Sequence, residues 1–481
     1  MQGKPPEREQ GRPNRPRSAL TTIGCRCYKD RIRPSRTRAP YRTWGNPVML
    51  LEGAQPLMQT SLTAKPTALL RVDETLLVRR YRQPSPEASS TAVQTGLDQA
   101  YEGGPLTRRQ AALLLQAEGD QFRRLLELAA AVRDLGKGRT VTFSKKVFIP
   151  LTRLCRDRCG YCTFRRDPGK PGDGFMTPDE VLAVASAGVA LGCTEALFSL
   201  GEKPELAFPE ARRILAERGY RRTVDYLARM CKRVVTETGL LPHVNPGTMD
   251  IGEMAMLQDS AVSMGLMLES ASMRLMRTGG PHHASPDKHP VRRLRTVEDA
   301  GRLRIAFTTG VLIGIGESLE ERIDALFAIR ALHARFGHIQ EIIVQNFRAK
   351  PSTPMRDDPE PTLLDLLRTV AVARLIFGPD MNLQAPPNLS PDAYPLLLAA
   401  GINDWGGISP LTLDHINPEA LWPSIEALRD AAVIRGYRLQ ERLPIYPEYI
   451  IHKGGFVPAS LISRIMALVD EAGYPKEQDR V

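Results

Sequence analysis

Three cysteines, Cys155, Cys159 and Cys162, stand in the run Leu151-Thr-Arg-Leu-Cys-Arg-Asp-Arg-Cys-Gly-Tyr-Cys-Thr-Phe164. Spacings of three and then two residues put three thiolates on one loop, close enough to hold three corners of a cubic iron-sulfur cluster, whose irons are normally held by Cys. One iron is then left without a protein ligand and is open to a small molecule. That favours chemistry over electron storage. Two other readings compete: zinc held by the trio with a distant Cys or His, or three unrelated buried thiols. Zinc sites usually bring their ligands as two close couples, and the other thiols of the ordered part, Cys193 and Cys231, stand alone.

Such a loop needs a strand end to sit on. After residue 140, short apolar runs alternate with helical segments, the pattern of repeated βα units. Strands are predicted over 147–151, 196–200, 241–245, 261–268, 307–315, 342–347, 383–385 and near Ile408. Helices are predicted between them over 178–191, 222–238, 251–258, 296–304, 319–335, 361–376, 391–400 and 419–435. This implies an α/β fold, a (β/α)8 TIM-like barrel whose active site is built at the C-terminal ends of the strands. Unusual polar groups fall at those ends: Gly201-Glu202-Lys203, Asn245, Glu269, Gly314-Ile-Gly-Glu317, Asn346 with Arg348, and Asn388. Ahead of the barrel, Thr107 opens one helix, and Asp120 is placed to cap a second that Gly136 would end.

A chain of 481 residues with 42% hydrophobic content buries a large core. Seven Cys are too few and too unevenly placed for a disulfide framework. A triad kept as thiolates implies a reducing interior, so the cytoplasm is the expected address. The net charge of +11 is local: residues 1–48 hold 12 Lys or Arg against 3 Asp or Glu, which leaves only +2 for the rest. No nucleic-acid partner is therefore expected, and no apolar run is long enough to span a membrane. The expected organisation is a disordered basic, Pro-rich tail and linker over 1–95 and a helical lead-in packing on the barrel over 96–140. The barrel follows over 141–440, with a C-terminal extension over 441–481. The basic tail reads as an inert upstream extension, with a working start at Met49 or Met58, rather than a targeting segment.

With its Cys triad after the first strand and Tyr161 just before the third Cys, the chain resembles the radical S-adenosylmethionine (SAM) enzymes. The resemblance implies one 4Fe-4S cluster held by Cys155, Cys159 and Cys162, with an open iron that chelates the amino and carboxylate groups of SAM. In that family an electron from the cluster cleaves SAM to methionine and a 5'-deoxyadenosyl radical, which takes hydrogen from substrate. Gly201-Glu202 resembles the segment that receives the methionine amino group, although it reads Leu-Gly-Glu-Lys where many relatives have Gly-Gly-Glu. Gly310-Val-Leu-Ile-Gly-Ile-Gly-Glu317 resembles the strand-five segment beside the adenine, so Tyr161, Gly314, Gly316 and Glu317 join Gly201 and Glu202 as expected cofactor-binding residues.

Further blocks narrow the resemblance, among them Lys146-Val-Phe-Ile-Pro-Leu-Thr-Arg-Leu-Cys155, Ser263-Met-Gly-Leu-Met-Leu-Glu269, Gln345-Asn-Phe-Arg-Ala-Lys-Pro351 and Asn403-Asp-Trp-Gly-Gly-Ile-Ser-Pro410. Together they are similar to the CofG-type subunits of deazaflavin (FO) synthase, from about Gly96 to near Pro447. What this implies is a lyase that cyclises a hydroxybenzyl-ribityliminouracil adduct with loss of ammonia. It also implies a CofH-type partner that makes the adduct and an external electron donor. A CofH-like transferase or a biotin-synthase-like enzyme is the alternative. For this small-molecule substrate the expected contacts are Asn245, Ser263, Glu269, Asn346, Arg348 and Ser409, with apolar walls from Met264, Met267 and Phe347. Glu269, His282, His283 and Arg348 are candidates for proton transfer. A metal at His282, His283 and His289 is not expected, because the segment 279–290 reads as a flexible loop. Loops and the N-terminal helices are expected to cap the barrel and shield the radical from water.

Overall fold

The first barrel strand alternates. Along β1 (Thr140–Pro150), Val141, Phe143, Val147 and Ile149 lie in the main apolar core, while Thr142, Ser144, Lys146 and Phe148 point to the other side of the strand. In this computed structural model, which describes residues 90–476, seven more strands follow: β2 (Glu195–Ser199), β3 (Leu241–Asn245), β4 (Ser263–Gly265), β5 (Phe307–Ile313), β6 (Ile339–Asn346), β7 (Asn382–Gln384) and β8 (Asp404–Ile408). All pair in parallel in sequence order, and β1 pairs both with β2 (Lys146 opposite Glu195) and with β8 (Ser144 opposite Gly407), so the sheet closes into a barrel. Parallel neighbours require crossovers, and helices supply them.

The inner wall of this barrel is polar. Where a TIM-type interior is usually filled by branched apolar side chains, Ser144 donates to Glu195 (2.6 Å), His243 Nδ1 meets Ser263 Oγ (2.7 Å), and Thr308 donates to Glu341 (3.1 Å). Arg442 reaches Asp404 (2.7 and 2.9 Å) and Glu341 (3.2 Å). Arg442 belongs to β9 (Arg438–Arg442), which runs parallel to the first half of β1 and was absent from the sequence reading. Past it, Leu443, Ile445, Tyr446 and Tyr449 pack against Leu241, Val262 and Ala306, and the carbonyl of Pro444 accepts from Ser263 (2.8 Å) and Gln340 (3.1 Å). The C-terminal segment thus plugs the end of the barrel where the strands begin.

Three helices precede the barrel: α1 (Ser90–Tyr101), α2 (Arg108–Leu114) and α3 (Gly119–Lys137). Thr107 caps α2 in a reciprocal box with Gln110, as its position implied. The cap of α3 is Glu118, without a side-chain bond, rather than Asp120; the helix ends at Gly138 (φ 57°) instead of Gly136, which lies tight against Pro379. Arg133 of α3 donates to the carbonyls of Leu398 (2.6 Å) and Ile402 (3.1 Å). These helices pack on the outer barrel helices Leu319–Phe336 and Leu363–Phe377, so they flank the barrel instead of covering its mouth, which corrects the expected cap. α1 starts inside the stretch expected to be tail; the remainder of that expectation, residues 1–89, and the alternative starts lie outside the described residues. The helix expected over 391–400 is reduced to Tyr394–Leu397, where Pro391 and Pro395 remove two backbone donors. A helix at Pro209–Glu217 was not anticipated.

Candidate active site at the barrel mouth

The Cys loop leaves β1 and packs directly on the end of β2. Gly201 N–H donates to the Thr152 carbonyl (2.9 Å) and Arg156 N–H to that of Glu202 (3.0 Å), while Glu202 N–H points at Cys155 Sγ (3.2 Å). A Cβ on Gly201 would lie 1.9 Å from the Leu154 carbonyl oxygen, so only glycine permits this approach. From the other side the segment 281–287 clamps the loop. Gly160 N–H donates to Pro281 (2.7 Å) and Arg158 N–H to Ala284 (3.1 Å); Ser285 Oγ donates to Cys159 Sγ (3.4 Å), and Asp287 pairs with Arg156. The stretch expected as a flexible loop is therefore a built part of the site, with His282 and Ser285 buried.

Beneath the Cys loop, the Tyr161 hydroxyl donates to the Glu269 carboxylate and lies 3.0 Å from His282 Nε2, and Lys288 closes on the other carboxylate oxygen. Burial alone would push the Glu269 carboxyl up, yet Lys288, Arg293 and His282 hold it well below the usual carboxylate range. Glu269 has a left-handed backbone (φ 64°), which turns its carboxylate back toward Tyr161. Burial also pushes the thiols of Cys155 and Cys159 up, the latter to about 12, so a metal must displace their protons before they can act as ligands.

Glu202, raised to about 7 by burial, accepts from Thr248 N–H (2.8 Å) and Oγ1 (2.7 Å). Near it, Asp157 accepts from Asp287 N–H (3.1 Å), and its second oxygen is buried without a partner among the described residues. Glu317 turns inward onto its own loop, accepting from Gly314 N–H (3.0 Å) and Ile315 N–H (3.0 Å) and pairing with Arg322 (2.7 Å); Gly314 and Gly316 take the positive φ (87° and 98°) that this turn requires.

The expected substrate contacts separate. Asn245 faces Gly265, where a Cβ would sit 2.2 Å from its Oδ1. Ser263 is fully buried at the plugged end, with its hydroxyl shared between His243 and Pro444. Glu269 is committed to Tyr161, Lys288 and His282. Asn346 (3.3 Å) and Arg348 (3.0 Å) both donate to the Leu389 carbonyl, and Ser409 Oγ accepts from Thr412 N–H (2.8 Å) in the turn after β8. Sequence reasoning missed Asp157, Lys288 and Arg293 as members of the site. Arg293 sits in the polar run Val291-Arg-Arg-Leu-Arg295, which reads as a solvated helix face, yet it is buried and donates to the Met267 carbonyl (2.6 Å).

Comparison with known proteins bears on this arrangement. The Radical SAM superfamily profile matches residues 149–329. A "7,8-didemethyl-8-hydroxy-5-deazariboflavin synthase" of Methanopyrus kandleri is 51% identical over 336 residues, 70% of this chain and 100% of that protein. This chain belongs to that radical SAM family. An "FO synthase" of Streptomyces avermitilis is 50% identical over 394 residues, 80% of this chain but 46% of that protein, so the chain spans about half the length of the longer curated relatives it matches. Among solved structures, the FeFe-hydrogenase maturase HydG from Carboxydothermus hydrogenoformans superposes with a TM-score of 0.60 at 18% identity, over 79% of this chain and 86% of that one, which shows a shared fold.

Family membership implies a 4Fe-4S cluster and SAM, and the residues present fit them. Among the described residues the only potential single-ion group whose ligand atoms all lie within 4.8 Å is Asp157, Glu202 and Asp287, so the three Cys sulfurs are spread wider than one zinc would need. Donors from Glu202 N–H and Ser285 Oγ aim at two of those sulfurs, an arrangement that tunes a cluster. The unpartnered Asp157 oxygen and the buried Glu202 carboxylate suit the ammonium of an amino acid. Among the described residues no helix is long and apolar enough to cross a membrane.

Proposed function

We propose that this chain closes the deazaflavin ring, converting 5-amino-5-(4-hydroxybenzyl)-6-(D-ribitylimino)-5,6-dihydrouracil to 7,8-didemethyl-8-hydroxy-5-deazariboflavin with release of ammonia. The observation that carries this reading is the 51% identity to the Methanopyrus kandleri protein over that protein's full length. A cluster and SAM held by the residues at the barrel mouth would supply the hydrogen abstraction: besides ammonia, the adduct would lose one hydrogen atom to 5'-deoxyadenosine, one proton to solvent and one electron back to the cluster.

In this reading Cys155, Cys159 and Cys162 hold three irons. Glu202, with Asp157 beside it, receives the methionine amino group, and the Gly314 to Glu317 turn lines the adenine side. Tyr161, fixed by Glu269 and His282, orders the loop between the second and third Cys. The reaction class is a carbon-nitrogen lyase in a reducing compartment, the cytoplasm, with an external electron donor and a CofH-type partner upstream. Anaerobically reconstituted chain given SAM, a reductant and the adduct yields fluorescent deazaflavin together with 5'-deoxyadenosine. SAM cleavage without deazaflavin contradicts the reading.

A further inference from the structure

The geometry points to Lys146 as a substrate-binding residue whose ammonium takes an acceptor oxygen on a flat ring of the substrate. This rests on the ring-closing reading and adds to it a residue on the barrel wall, outside the Cys loop. Lys146 follows Thr142 and Ser144 on the inner face of β1; those two are bonded to Asp404 and Glu195, whereas Lys146 Nζ makes no hydrogen bond or ion pair among the described residues. Yet the residue is 7% exposed. Its stem is sequestered while the ammonium keeps an accessible side and no protein acceptor, which leaves it free to take a ligand oxygen. Lys350, near the same mouth, shows the satisfied alternative, with its Nζ donating to the Ile416 carbonyl (2.8 Å) and Asn417 Oδ1 (2.6 Å).

The fold makes room for this lysine. A Cβ on Gly407 would lie 2.3 Å from Lys146 Cδ and 2.7 Å from Nζ, so a glycine on β8 lets the chain extend into the barrel. Its head lies 5.1 Å from the centre of the Trp422 ring and 5.7 Å from that of Phe148. The Trp422 indole N–H is itself buried without a partner. Burial lowers the amine, while Glu195, Asp414 and Glu341 act in the raising direction. Asp414 does not take the charge directly: its oxygens accept from Asn388 (3.0 Å), Asn417 (2.9 Å) and the backbone N–H of Ile416 (2.9 Å).

Two unused donors beside aromatic faces define the ligand chemistry. A polyol would need acceptors matched to its hydroxyls, and a phosphate would need further cations. A flat ring carrying a carbonyl or phenol oxygen needs only a stacking face and a donor. The substrate offers two such rings, the hydroxybenzyl and the uracil.

The test is calorimetric binding to cluster-loaded, unreduced full chain with SAM present, using the adduct, 4-hydroxybenzyl alcohol and 5-amino-6-(D-ribitylamino)uracil as probes. Lys146→Met weakens adduct binding by ~10–100-fold, and the single-ring probe that loses affinity with it identifies the ring. Gly407→Ala keeps the charge but forces the lysine aside and gives the same loss, so a misfolded Lys146→Met would not end the test. Adduct binding within about threefold of wild type in both variants overturns the assignment. Lys146-dependent binding without deazaflavin formation leaves Lys146 in place and removes the ring-closing reading, whereas deazaflavin formation with unchanged binding in the variants does the reverse.

Discussion

Glu269 answers to Tyr161, Lys288 and His282 at once, and its carboxylate links the loop between Cys159 and Cys162 to the segment that follows β4. Removing one partner of a buried pair leaves the other charge uncompensated. Glu269→Gln should therefore destabilise the cluster-free protein by about 3–5 kcal/mol, read from urea denaturation; a loss below about 1 kcal/mol, the range of exposed pairs, would show that Lys288 is solvated. At this scale the Cys triad was legible because its spacing is local and no fold is needed to bring the thiols together. Lys288, Arg293 and Asp157 were not, because a charged residue becomes a site residue only when distant segments bury it. Ser263 shows the opposite case: its strand position suggested a substrate contact, but the C-terminal plug engages its hydroxyl through Pro444.

Loops rather than strands determine whether the cysteines are held in place. Because the Cys loop and the end of β2 touch backbone to backbone at Gly201, Gly201→Ala should lower iron content per chain severalfold while far-ultraviolet circular dichroism stays unchanged. Full cluster loading in that variant would mean that the loop relaxes freely. The eight barrel strands were legible from their short apolar runs, since burial in a parallel sheet leaves that pattern. β9 was not, since Arg438-Leu-Gln-Glu-Arg442 is mostly charged and pairs with only the first half of β1. The segment 279–290 looked loose from its Gly, Pro and His content, whereas bonds across to the Cys loop order it.

Taken as a whole, the molecule stores buried neutral histidines in and around its barrel. Burial lowers His243 to about 4 and His338 to about 3. Between pH 6.5 and those values the unfolded chain takes up protons that the folded chain refuses, so this contribution is fully present above pH 6.5 and is lost as pH falls. Glu341, raised to about 7 by burial, acts in the opposite direction, so the useful comparison is between variant and wild type. His243→Gln should lose less stability than wild type between pH 7 and 4, by up to about 3 kcal/mol, in urea midpoints measured across that range. Parallel pH dependences would show that His243 is solvated. Whether this barrel closes a ring or joins the two fragments is decided by separate incubations of reconstituted chain. One receives SAM, reductant and the preformed adduct; the other receives SAM, reductant, tyrosine and 5-amino-6-(D-ribitylamino)uracil. A ring-closing barrel gives fluorescent deazaflavin from the first and no adduct from the second. Adduct formation in the second, or 5'-deoxyadenosine without deazaflavin in the first, would contradict it.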